Sequence, residues 1–165
     1  YSSAASDVYK RQYLVFIDTA NRALPSWLKD KGLSIHGSNL CTEIFLPTSH
    51  DRTAVCCLSS LNLEYFDEWK NNQQFITDAM ELLDNVLQYF IDHAPDQIAR
   101  ARYSAMRERS VGLGALGFHA YLQKKGVPFE SAAAMSIRTK MFLIPGSLRS
   151  CGLSLRRDGR KIPMS

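Results

Sequence analysis

The chain has 165 residues, 45% of them hydrophobic, and a formal net charge of +4. That much apolar content can bury a core, which excludes disorder throughout, and no apolar run approaches the ~18 residues of a membrane-spanning helix. Residues 137–165 hold seven Lys or Arg against one acid, while residues 1–136 hold thirteen basic and fifteen acidic side chains, so the basic charge is a property of the tail and no nucleic-acid partner is expected.

Residues 1–12 (YSSAASDVYKRQ) show no clear period. DVYKRQ resembles the translation of an adapter used in sequencing libraries, so an artefactual or disordered leader is expected there, and no signal peptide. Tyr13 to Asp18 (YLVFID) reads as a buried strand. Asn21 to Gly32 reads as a connection with one helical turn, residues 38 to 46 as an extended segment ending at Pro47, and Thr48 to Arg52 as a polar turn. Thr53 to Leu58 (TAVCCL) reads as a second strand, and Ser59 to Trp69 as a mixed connection.

Phe75 to Ile91 carries the clearest helical period: Phe75, Ile76, Ala79, Leu82, Leu83, Val86, Leu87 and Phe90 form one stripe, and Pro95 ends it. A second helical stretch is predicted from Asp96 to Lys125, stopped by Gly126 and Pro128. Residues 137–165 read as a basic irregular tail, either frameshifted or genuine. Strands followed by long helices make the class α/β, with too few strands to close a sheet.

Five constellations bear on function. Gly112-Leu-Gly114-Ala-Leu-Gly117 matches a dinucleotide fingerprint, but no strand precedes it, so small residues for close helix packing are the expectation. His36, His50, His93 and His119 are scattered without ligand spacing, and no metal is expected. Arg100, Arg102, Arg107 and Arg109 read as a solvated helix face paired with acids such as Asp96 and Glu108. Of the adjacent Cys56 and Cys57, a strand can turn only one toward any given site, leaving the other to pack. With Cys41 and Cys151 these cysteines have no stapled spacing, and a reducing cytoplasm is expected.

The fifth is SNLCTEI, residues 38–44. In an extended chain Asn39, Cys41 and Glu43 share one face, and Leu40, Thr42 and Ile44 the other. A solvent-facing polar side is the plain reading. A nucleophilic cysteine wants a positive neighbour, whereas a carboxylate nearby favours the neutral thiol. A neutral S–H suits hydrogen-atom chemistry, the Glu43 carboxylate can take a proton from a substrate hydroxyl, and Asn39 can donate to and accept from a second hydroxyl.

GSNLCTEI, TAVCCLSSLNLE, the helix around DAMELLDNVL and RERSVGLGALGFHAYLQKKG together resemble the large catalytic (alpha) subunit of class I ribonucleotide reductase, over about Tyr13 to Ser136. The B12-dependent class usually shows Pro-Cys-Gly-Glu at this motif, and the Ser38-Asn39-Leu40-Cys41 wording is similar to class I. The resemblance implies a partial piece (13–136) of a ten-stranded α/β barrel, helix-rich, with 38–44 as its finger loop. It implies that Cys41 becomes a thiyl radical and takes the ribose 3′ hydrogen, that Glu43 is the base at the 3′ hydroxyl, and that Asn39 holds the ribose hydroxyls. Ser38 and Leu40 would join them in binding substrate. Cys56 would be one of two redox-active cysteines that close to a disulfide in each turnover, and Cys57 would pack. The implied partners are a ribonucleoside diphosphate, a small (beta) radical-generating subunit containing metal, thioredoxin or glutaredoxin, and a second alpha subunit. ATP and dATP would be effectors of the full-length protein, with no cofactor held by this stretch, which alone is expected to be inactive. Two alternatives stay open: a hydrolase or transferase with Cys41 as nucleophile, and a non-catalytic interaction module docking through the helix at 75–91.

Overall fold

The computed structural model describes residues 14–143. The chain divides into two compact units, Tyr1–Ala54 and Val55–Ser165.

The first unit has two short helices, α1 (Ile17–Ala23) and α2 (Ser26–Lys29). Pro25, with φ −53°, occupies the position before α2, where its missing N–H costs nothing. Gly32, at φ +69°, turns the chain out of it. Helical spacing carries Ile17, Ala20 and Leu24 toward Leu28 and Ile35, and Leu33 and Phe45 complete this small core. The Asn21 side chain ties α1 to the extended segment beyond: Nδ2 donates to the Ile17 and Ile35 carbonyls at 3.1 and 2.8 Å, and Oδ1 accepts from Ile35 N at 2.8 Å.

The strand expected at 13–18 is therefore not found. Tyr13 lies outside the described residues, Leu14 and Phe16 are 97% and 80% exposed, and Ile17 and Asp18 begin α1. A six-residue apolar run does not distinguish strand from helix by period. Here the helix wins because it points Ile17 and Ala20 at an apolar partner. The polar turn at 48–52 is present, closed by a Ser49–Arg52 bridge.

In the second unit, β1 (Cys57–Asn62) and β2 (Val111–Leu116) pair in parallel, Cys57 beside Val111 through Asn62 beside Leu116. Parallel neighbours need a long crossover. It consists of a 3-10 turn (Leu63–Tyr65), α3 (Phe66–Trp69), α4 (Gln73–His93), a second 3-10 turn and α5 (Ala99–Glu108). Helices α6 (Phe118–Lys124) and α7 (Ala132–Leu143) follow.

The predicted stripe of α4 is real on one side. The Asn72 side chain caps it by accepting from Phe75 N at 3.3 Å, and Ile76, Leu83 and Leu87 are buried with Leu61, Leu63, Val111, Leu113 and Met141. Leu82 and Val86, expected in the same stripe, lie on the exposed flank. Phe66 meets Trp69 and Tyr121 edge-on, with ring centroids 5.0 and 6.1 Å apart. Among the described residues the architecture is two strands and seven helices, a helix-rich α/β arrangement in keeping with part of an α/β barrel.

Three predicted boundaries move. The second strand starts at Cys57, not Thr53, and continues through Asn62. The single helix over 96–125 is α5, β2 and α6. The expected start of the tail at residue 137 falls inside α7, which Ser131 begins by accepting from Ala134 N at 3.1 Å. The rest of the tail, and the leader, lie outside the described residues.

The glycine pattern explains the second shift. Gly112 and Gly114 sit within β2 opposite bulkier β1 residues: a Cβ on Gly112 would come 2.5 Å from Leu58 Cδ2, and one on Gly114 3.1 Å from Ser60 Oγ. Gly117, at φ +76°, turns from β2 into α6 with no room for a side chain beside Asn62 Oδ1. The glycines serve close packing as expected, but of a strand rather than a helix. A dinucleotide fingerprint needs its glycines in the turn after the strand, so that reading lapses.

Candidate active site

Residues 33–48 form a loop with two paired arms. At its base, Thr48 N donates to the Ser34 carbonyl at 3.1 Å, and His36 Nδ1 donates to the Thr48 carbonyl at 2.8 Å. A carbonyl only accepts, so His36 carries its proton on Nδ1, and its Nε2 faces Ser34 Oγ at 3.3 Å. The returning arm is anchored by Leu46 and Pro47, both buried.

Nearer the tip, Ile44 N donates to Asn39 Oδ1 at 3.0 Å. Ser38 Oγ donates to the Ile44 carbonyl at 2.9 Å and lies 3.2 Å from Asn39 Oδ1. Thr42 N donates to the Asn39 carbonyl at 3.1 Å, closing a tight turn over Asn39–Thr42. Thr42 adopts φ +65°, the left-handed region that a β-branched residue rarely enters, at a cost of about 1–3 kcal/mol. The hydrogen bonds around it offset that cost.

The residues at 38–46 are thus not the extended strand expected. Asn39, Cys41 and Glu43 are all exposed, gathered on one loop tip by a turn rather than by strand alternation. Leu40, expected on the face opposite Asn39 and Cys41, is 78% exposed as well. Asn39 also has less to offer than expected. The donor at Ile44 N identifies Oδ1 as the acceptor atom, which the loop itself uses, leaving the amide NH2 to face outward chemistry as a donor. Neither the turn nor the strained Thr42 was legible, since Thr42 lacks the Gly or Asn signature of a positive φ.

Cys56 belongs to the second unit, immediately before β1. It is half-buried, and its thiol faces the Cys57 carbonyl at 3.8 Å. Burial, with a smaller contribution from Cys57, pushes the Cys56 thiol up to about 11. Cys57 N donates to the Ser110 carbonyl at 3.4 Å and its side chain packs against the core, as expected. Burial raises the Cys57 thiol as well.

A raised thiol is less ionised at a given pH, but its thiolate is more nucleophilic, which cancels about half the effect in logarithmic terms. Cys56 should therefore react with iodoacetamide at pH 8 about tenfold more slowly than an unperturbed thiol, and its rate should still be climbing above pH 10. Peptide mass spectrometry across pH 7 to 11 checks this, and a plateau near pH 9 would contradict it.

Elsewhere, Arg102 pairs with Asp96 at 3.1 Å on the surface, as the arginine pattern predicted. Arg109 does not follow that pattern. It ends α5 at φ +46° and turns inward: Nε and Nη2 donate to Asp84 Oδ1 at 3.0 and 2.9 Å, and Nη1 donates to Gln88 Oε1 at 2.6 Å. Only an acid interrupting the apolar stripe of α4 hinted at this. His93 stacks on Tyr89 and His119 meets Phe129 edge-on. Among the described residues no three His, Cys, Asp or Glu gather as a ligand set, and no helix is long and apolar enough to cross a membrane.

Residues 9–144 match the family described as ribonucleotide reductase, barrel domain. The chain is 61% identical over 130 residues to the ribonucleoside-diphosphate reductase large subunit of Invertebrate iridescent virus 3, a match covering 79% of this chain and 21% of that protein. It is 56% identical over 133 residues to the putative ribonucleoside-diphosphate reductase large subunit of Frog virus 3, covering 79% of this chain and 23% of that one. The solved Actinobacillus ureae class Id ribonucleotide reductase alpha subunit superposes with a TM-score of 0.75 at 41% identity, over 87% of this chain and 28% of that one. The chain thus spans between a fifth and a quarter of the length of these viral relatives. With a match that takes in both the loop at 38–44 and the β1–β2 pair, the chain belongs to the ribonucleotide reductase barrel-domain family.

Proposed function

We propose that this chain contributes the finger loop and one redox cysteine of a class I ribonucleoside-diphosphate reductase large subunit, which converts ribonucleotides to deoxyribonucleotides. The observation that carries this reading is the closed loop tip, where Ser38, Asn39 and Ile44 are bonded to one another and Cys41 and Glu43 are left exposed beyond them. A group that must take a hydrogen atom from a sugar needs to project and to be held still.

In this reading the metal-containing small subunit supplies the radical. Cys41, as a thiyl, takes the 3′ hydrogen atom and becomes S–H, while Glu43 takes the 3′ hydroxyl proton. The Asn39 amide NH2 donates to a ribose oxygen. Loss of the 2′ hydroxyl as water requires two electrons, which Cys56 and a second thiol supply by closing to a disulfide. Thioredoxin or glutaredoxin then reopens it. The substrate is a ribonucleoside diphosphate, the working form a cytoplasmic alpha homodimer with the small subunit, and ATP and dATP its effectors.

Two features weigh against the alternatives. Both nitrogens of His36, the histidine nearest Cys41 in sequence, already face Thr48 and Ser34, so it is not set as a base for a nucleophilic cysteine. Cys41 is exposed, whereas a purely structural module would bury it.

In a full-length large subunit carrying this segment and assayed with its small subunit, Glu43→Gln should lower kcat at least about 100-fold, the usual contribution of a positioned general base. Turnover within twofold of wild type would remove Glu43 from the proposed chemistry.

A further inference from the structure

The loop tip carries one more assignment, which rests on the reading above. Ser38 precedes Asn39 and is half-buried at the neck of the loop. Its single hydroxyl proton faces two acceptors, the Ile44 carbonyl at 2.9 Å and Asn39 Oδ1 at 3.2 Å. A serine hydroxyl has one proton to give. Spent here, it is not available to donate to a substrate.

The same bonds link both arms. Asn39 Oδ1 receives Ile44 N from the returning arm, and Ser38 fastens the Ile44 carbonyl. Ile44 is therefore held through both its backbone groups. The three residues between Asn39 and Glu43 must then close within a turn, with Thr42 driven to φ +65°. Without the Ser38 bond the strained turn has less to oppose its relaxation. The Asn39 side chain would then be held to the returning arm by the bond from Ile44 N, without the Ser38 hydroxyl beside its Oδ1.

We propose that Ser38 is a positioning residue for Cys41 and Asn39: it acts through Asn39 Oδ1 and the Ile44 carbonyl and does not touch the nucleotide. A residue that positions lowers kcat more than it changes KM, whereas a residue that binds substrate uniformly does the reverse.

The test uses the full-length large subunit carrying this segment, with its small subunit. Ser38→Ala should lower kcat about 10- to 100-fold with KM for the ribonucleoside diphosphate within about twofold. Hydrogen exchange in the peptide spanning residues 40–46, followed by mass spectrometry, should quicken about fivefold, as the loss of one hydrogen bond implies. Ser38→Thr, which keeps the hydroxyl, should restore both readings. A raised KM at unchanged kcat would instead make Ser38 a substrate contact, and wild-type kinetics and exchange in Ser38→Ala would mean that its hydroxyl holds nothing; either overturns the proposal. Should Ser38→Ala fail to fold, Ser38→Cys keeps the size with a weaker donor, and normal exchange and kcat in that variant would be equally fatal. Exchange does not depend on chemistry. An active Cys41→Ser enzyme would thus break the functional reading and leave the Ser38 assignment to be decided by exchange.

Discussion

Asp84→Ala is expected to destabilise the second unit by about 3 kcal/mol, the lower end of what breaking a buried ion pair costs. Both partners are largely buried, their side chains 10% and 16% exposed, and Asp84 Oδ1 receives two of the Arg109 N–H groups. Removing the carboxylate leaves the guanidinium with Gln88 Oε1 and the Asp84 carbonyl as its neutral partners here. Most of the expected loss is the desolvation of a charge without its counter-charge, not the worth of the pair itself.

The position makes the effect structural. Arg109 is the left-handed residue that ends α5 one step before the Ser110–Val111 entry to β2. Its side chain thereby fastens the end of the crossover to the middle of α4. Asp84→Ala combined with Arg109→Leu should recover a large part of the loss, because neither charge of the pair is then left buried without the other. Urea denaturation of wild type, both single variants and the double variant measures this directly. A single-variant loss below about 0.5 kcal/mol would place the pair among surface bridges, which contribute little.

What could be read from the sequence, and what could not, follows the reach of the interactions. The helix around Leu83 and Leu87 was legible because its period is local and long, and Pro95 marks its end. The turn at 48–52 was legible from its polar residues. The helix at 17–23 is not legible because a short apolar run takes the form its partners favour, and the partners are Leu28 and Ile35, further along the chain. Strand β2 was hidden by its glycines. They suggest a loop or a helix contact until Leu58 and Ser60 are seen opposite them. Arg109 looked like one of a row of surface arginines, and only its partner 25 residues upstream separates it from Arg102.

The site was legible in its residue types and not in its geometry. Asn39, Cys41 and Glu43 stand out in the sequence by their chemistry, and all three are exposed on one loop. The face they were expected to share through strand alternation does not exist, because a turn at Asn39–Thr42 intervenes. The hydrogen bonds that shape the tip join side chain to backbone across five or six residues, which no period reveals.

Cys41→Ser bears most directly on the proposed chemistry. Serine keeps the shape of the tip and should leave the Ser38, Asn39 and Ile44 bonds intact, since none of them uses the Cys41 side chain. It replaces a weak S–H bond by a strong O–H bond, so the oxygen cannot serve as a hydrogen-atom carrier on the same footing. In a full-length large subunit carrying this segment, with the small subunit and a thiol reductant, substrate should still bind while deoxyribonucleotide formation falls below detection, a loss of at least about 1,000-fold, or about 4 kcal/mol in barrier. Deoxyribonucleotide formed by Cys41→Ser at a rate within tenfold of wild type would show that the sulfur at the tip does not carry the reaction.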